Sequence, residues 1–93
     1  GVAISVVRRS GGIQAVDALN KYLEYSEMVI PTSSYWNVGY GLTPGQFNQD
    51  IEGNQIMRVL GKNMAWVLKL IQNGKGTVPE PEAESKQAYS FIH

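Results

Sequence analysis

The sequence predicts an α/β fold built on parallel strands, and three features carry the prediction. A continuous β-branched run opens the chain, a helical period follows it, and a second apolar run comes about thirty residues after the first. Such a strand-helix-strand unit is right-handed with parallel strands. A long amphipathic segment later in the chain adds a second helix. The predicted order is β-α-β-α, followed by a tail.

Each element rests on its own residues. Gly1 to Val7 contains Val2, Ile4, Val6 and Val7 with Ser5 as the only polar residue, a pattern that fits a strand buried on both faces. Arg8-Arg9 ends that strand, and Ser10-Gly11-Gly12 makes a turn with Ser10 as the expected N-cap of the first helix. Ile13, Val16, Leu19 and Leu23 then share one helical stripe, while Asp17, Asn20, Lys21 and Glu24 face away, to an end near Ser26. Met28-Val29-Ile30 reads as the second strand, stopped by Pro31. Pro31 to Gln49 reads as a long connection, and its Tyr35, Trp36, Tyr40 and Phe47 suit a loop that covers a ligand or a neighbouring subunit.

Asp50 or Asn54 is the expected cap of the last helix, which runs to about Gln72. Met57, Leu60, Met64, Val67 and Ile71 form one apolar stripe, and Ile56, Val59, Trp66 and Leu70 form a second beside it. Two stripes exceed what one sheet face requires, so the second predicts an oligomer interface. Residues 1–74 are therefore the folded part and 75–93 a polar tail whose end, Tyr89-Ser90-Phe91-Ile92, turns apolar again.

Composition bounds the function. The 93 residues make one small domain, 43% hydrophobic and 17% charged. Eight basic residues balance eight acidic ones, and no charge run points to nucleic acid or an anionic membrane. With no cysteine there is no disulfide framework, thiolate zinc site or cysteine-ligated cluster within these residues. The longest uncharged stretch, Met28 to Gln49, is rich in Gly, Pro, Ser and Asn rather than a membrane span. These features predict a cytoplasmic protein. Gly1 opens directly into an apolar run, and two strands with two helices cannot close a core. The expectation is a piece of a longer chain, incomplete on its own.

Several short segments carry a resemblance. Arg8-Arg9-Ser10-Gly11-Gly12-Ile13-Gln14 resembles the fourth βα loop of the flavodoxin-like NADPH-dependent FMN reductases, a family that includes the iron–sulfur flavoproteins. Ser33-Ser34-Tyr35-Trp36-Asn37 is similar to the segment after their fifth strand. Asp50-Ile51-Glu52-Gly53 with Leu60-Gly61-Lys62-Asn63-Met64-Ala65-Trp66 resembles the opening of their final helix, and Phe91-Ile92-His93 their terminus. The resemblance spans nearly all 93 residues. It implies the carboxyl-terminal half of a five-stranded parallel sheet, with FMN at the strands' carboxyl ends and NAD(P)H as co-substrate. The implied partners are the missing amino-terminal half, which holds most of the FMN including its phosphate, and further copies in a homo-oligomer.

The site residues follow from placing that family on this chain. Ser10, Gly11 and Gly12 would approach the flavin ring through their backbone, although without the resemblance an ordinary βα turn that needs glycine for its dihedrals is the better explanation. Arg8 and Arg9 would meet a phosphate of FMN or of a nicotinamide nucleotide, or else be one solvated and one salt-bridged arginine. Tyr35 and Trp36 would stack on the flavin or wall off the substrate, or anchor an interface. Asp50 and Glu52 are explained by helix capping and the helix dipole. His93, the single histidine, has no assigned role, and no catalytic residue or metal ligand is assigned.

The implied function is an FMN-dependent NAD(P)H oxidoreductase that passes electrons from a nicotinamide to flavin, quinone or a redox partner. As a fragment the chain would be inactive. The alternative is a flavodoxin-like binding or oligomerisation module without flavin. A third reading is an electron carrier with no nicotinamide site.

Overall fold

A computed structural model describes residues 1–88; the apolar chain end and His93 lie outside them. The chain is mixed α/β: β1 (Ser5–Val7), α1 (Gly12–Tyr25), β2 (Val38–Tyr40), a short 3₁₀ helix (Gln46–Gln49) and α2 (Ile51–Gly74). The two strands pair in parallel, with Ser5 opposite Val38, Val6 opposite Gly39 and Val7 opposite Tyr40. The predicted β-α-β-α order stands, but the second strand is not where the sequence placed it.

Met28-Val29-Ile30 is no strand. Glu27 adopts φ 56° and reverses the chain after α1, and the Met28 N–H still donates to Leu23 O in the helix. The ladder goes instead to Val38–Tyr40, because Asn37 pins that segment beside β1. Its backbone oxygen accepts from Ser5 N at 3.0 Å, and its side-chain amide donates to Ala3 O at 3.0 Å. Gly41 N closes the other end on Val7 O. The expected long loop from Pro31 to Gln49 therefore holds both β2 and the 3₁₀ helix.

Alternation along the strands decides what is buried. Ala3 and Val38 join Val16 of α1 in a small core, with Val7 and Leu23 packed against it. Gly12 sits where a Cβ would run into the side chains of Val38 and Val7, so α1 reaches the sheet through a glycine. On the other face, Phe47 occupies the space a Cβ on Gly39 would need. The prediction of a strand buried on both faces is not met among the described residues: Ile4 is 50% and Val6 55% exposed.

α2 packs against β2 through its first half only. Ile56 and Leu60 are buried, Met57 and Val59 half-buried, whereas Trp66, Leu68, Leu70 and Ile71 are exposed. The second predicted stripe is thus covered at Ile56 and open from Trp66 onward. Beyond α2 the tail returns to α1, where the Lys86 ammonium lies 4.2 Å from the centre of the Tyr25 ring. No helix among the described residues is long and apolar enough to cross a membrane.

Candidate functional site at the carboxyl ends of the strands

In open α/β sheets, ligands bind in the crevice outside the carboxyl ends of the strands. Here that end is built by two segments, the turn from β1 into α1 and the loop that leaves β2. The turn carries Arg8, Arg9, Ser10 and Gly11, all exposed, and Gly12, buried.

Gly11, not Ser10, is the N-cap of α1; it has φ 88° and no side chain caps the helix start. An L-residue with a Cβ is strained in that conformation, which explains the glycine and displaces the expected serine cap. Ser5 Oγ donates to Gly12 O at 3.0 Å and ties the turn to β1. Both glycines thus have a reason in the turn itself: Gly11 for its dihedral and Gly12 for close packing. The first turn of α1 holds no acidic side chain. Ser10 and Gly11 are left as an exposed backbone ledge next to two guanidiniums.

The loop after β2 meets the two arginines that precede that ledge. An open hollow of about 560 Å³ is lined by Arg8 and Arg9 on one side, and by Tyr40, Gly41, Leu42, Gln46, Gln49 and Asp50 on the other. Asp50 is structurally committed: one carboxylate oxygen accepts from Tyr40 N and the other from Gly53 N, each at 2.9 Å. It caps α2 and closes the outer edge of β2 at once, in line with the capping role expected from sequence. Glu52 stands in the first turn of the same helix.

Tyr35 and Trp36 lie elsewhere. They precede β2, and their ring centroids are 6.0 Å apart at 46°. Trp36 comes two residues before Val38, the partner of Ser5, whereas Arg8 comes three residues after Ser5. Along the strand direction these five steps separate them by roughly 16 Å at about 3.3 Å per residue. The two aromatics line a hollow of about 250 Å³ with Ile13, Val38 and Ile56, and this hollow shares Tyr40 and Asp50 with the arginine one. The structure therefore groups Arg8 to Gly12 and sets Tyr35 and Trp36 apart, linked through Tyr40.

Sequence reading placed Tyr40 only among the aromatics of a loop suited to cover a ligand or a subunit, and it missed Gln46 and Gln49. A further signal was Gly39-Tyr40-Gly41, a tyrosine between two glycines just before a Pro-Gly turn. Among the described residues no group of acidic or histidine side chains is arranged to hold a metal ion. Comparison with protein-family models, curated proteins and solved structures finds no match to this chain.

Proposed function

We propose that the chain forms the carboxyl-terminal β-α-β-α portion of a flavodoxin-like NAD(P)H-dependent FMN oxidoreductase acting in the cytoplasm. The observation that carries the reading is the ledge at Ser10-Gly11 beside Arg8 and Arg9, where two parallel strands end in an open hollow. The half-exposed Ile4 and Val6 add to it, since a parallel sheet needs both faces covered and here the second face is covered only where Phe47 lies on Gly39. The rest of the sheet, with the anchor for the FMN phosphate, would come from the amino-terminal half of the same domain.

FMN, when bound, would supply the acceptor for hydride from the nicotinamide. This chain's part is binding and positioning. The Ser10-Gly11 backbone would lie along the ring, Arg8 and Arg9 would hold negative charge beside it, and Tyr40 would wall the hollow with Tyr35 and Trp36 beyond. The exposed half of α2 would seat a second copy.

That same half of α2 favours the second reading, an assembly module without flavin, because Trp66 and Leu70 form an exposed apolar stripe. One experiment separates the two. The full-length protein is purified, its visible spectrum recorded after incubation with FMN and removal of the excess, and NADPH oxidation followed. Retained flavin absorbance with turnover is expected. A colourless protein that neither retains FMN nor oxidises NADPH sinks the reductase and leaves the assembly module.

A further inference from the structure

Tyr35 and Trp36 stand between two hollows. One, of about 250 Å³, opens toward Tyr40 and the start of α2; the other, of about 290 Å³, opens toward α1, and both rings line each of them. The rings are tilted at 46° with centroids 6.0 Å apart, so the corner offers more than one ring face. They are 60% and 58% exposed, yet the backbone beneath them is fixed. Ser33 Oγ donates to Ile56 O at 2.6 Å and Val38 N to Trp36 O at 2.8 Å, while Asn37 is held on the first strand segment through both its backbone and its side chain. Two large rings left in water on a pinned segment form a wall that needs little further ordering to meet a ligand.

Charge says what that wall receives. Carboxylates flank the corner on both sides: Asp17 of α1 lines one hollow, and Asp50 and Glu52 line the other. Neither lining contains a lysine, an arginine or a histidine. Among the described residues these acids do not gather into a group that could hold a metal ion. A bulky cation needs no such convergence. It is attracted by ring faces within about 6 Å and by carboxylates further away. Ile13, Ile56 and Pro31 complete the walls, and these apolar surfaces suit an alkylated cation better than a bare ammonium ion.

Further strands would not cover this corner. The ladder to β2 uses Ser5 and Val7, so alternation turns the Val6 N–H and C=O to the other edge of β1. The outer edge of β2 is already closed, Val38 N by Trp36 O and Tyr40 N by Asp50. A sheet that grows does so at β1, on the far side from the two rings.

We infer that the Tyr35–Trp36 corner binds a small organic cation, an alkylated ammonium whose positive head rests on the two rings between Asp17 and Glu52. The inference stands on this chain's own side chains and holds whether or not the domain carries flavin.

Choline is the probe, titrated into the full-length protein by calorimetry at low salt. Its uncharged isostere, with carbon in place of the ammonium nitrogen, is the control. Choline is expected to bind about fivefold tighter than the isostere or better, with the difference shrinking at high salt. Tyr35→Leu/Trp36→Leu, which keeps apolar walls but removes the ring faces, should weaken choline about tenfold and the isostere little. Trp36→Phe retains a ring face and should fall between, which separates loss of the wall from misfolding. Asp17→Asn/Glu52→Gln should weaken choline by a smaller factor that fades with added salt. Equal affinity for choline and the isostere overturns the inference, as does a parent protein that binds neither, or choline binding that ignores the ring variants. FMN that displaces choline and loses its own affinity in the double leucine variant also overturns it, by giving the rings to the flavin.

Discussion

The two helices start at the same end of the sheet and are started in opposite ways. α2 begins at Asp50, whose carboxylate takes the Gly53 amide and the last strand amide, with Glu52 adding negative charge in the first turn. α1 begins at Gly11, with no side-chain cap and no acid in its first turn. A helix start presents amides without partners inside the helix. At α2 the chain's own carboxylate answers them; at α1 the chain supplies two arginines and an exposed ledge instead. The difference teaches which helix start is closed by the chain's own side chains and which is left uncapped.

The largest effect should come from cutting the packing that anchors α2. Ile56 is 4% exposed, and its carbonyl accepts from Ser33 Oγ at 2.6 Å. Ile56→Ala is expected to cost about 2–5 kcal/mol. On α1, Leu19→Ala removes a side chain that is 46% exposed and should cost well under half of that. Urea midpoints of the two variants check the contrast. Equal shifts would mean that α1 is as firmly anchored as α2, and the comparison would fail.

Next in size is the cap itself. Asp50→Ala removes an acceptor from Gly53 N and from Tyr40 N, with an expected loss of about 1–2 kcal/mol. Asp50→Asn keeps an acceptor oxygen and should recover part of it. Hydrogen exchange gives the finer readout: the Gly53 and Tyr40 amides should exchange faster in the alanine variant, while the Ala15 amide, bonded to Gly11 O, should not change. Acceleration at all three positions would mean that the two helix starts are coupled.

These contrasts also separate what the sequence could reveal from what it could not. Both helices were legible, because Val16, Leu23, Ile56 and Leu60 recur at helical spacing and Asp50 carries its cap in its own side chain. β2 was not. Gly39 and Gly41 interrupt the apolar pattern of a strand, and the reason for Gly39 is Phe47, eight positions on, which occupies the space of its missing Cβ. Met28-Val29-Ile30 has the better local pattern and loses the ladder to the Asn37 bonds, which join positions more than thirty residues apart. The same holds at the site. Arg8 to Gly12 could be set at a strand's carboxyl end from sequence. Gln46 and Gln49 join them only through a turn in which Gln46 binds its own loop.

The smallest effect is the most discriminating. A serine just before a helix that begins with glycine reads as an N-cap, and losing a working cap costs about 1 kcal/mol. With Gly11 as the cap and no side chain serving α1, Ser10→Ala should leave stability within about 0.5 kcal/mol of the parent. If the ledge touches flavin, the consequence moves to binding, and FMN affinity of the full-length protein should fall while the urea midpoint stays. A destabilised variant with unaltered affinity would return Ser10 to the helix and make the two starts alike. A variant changed in affinity alone would show that α1 left its start uncapped because the residues before it serve a ligand.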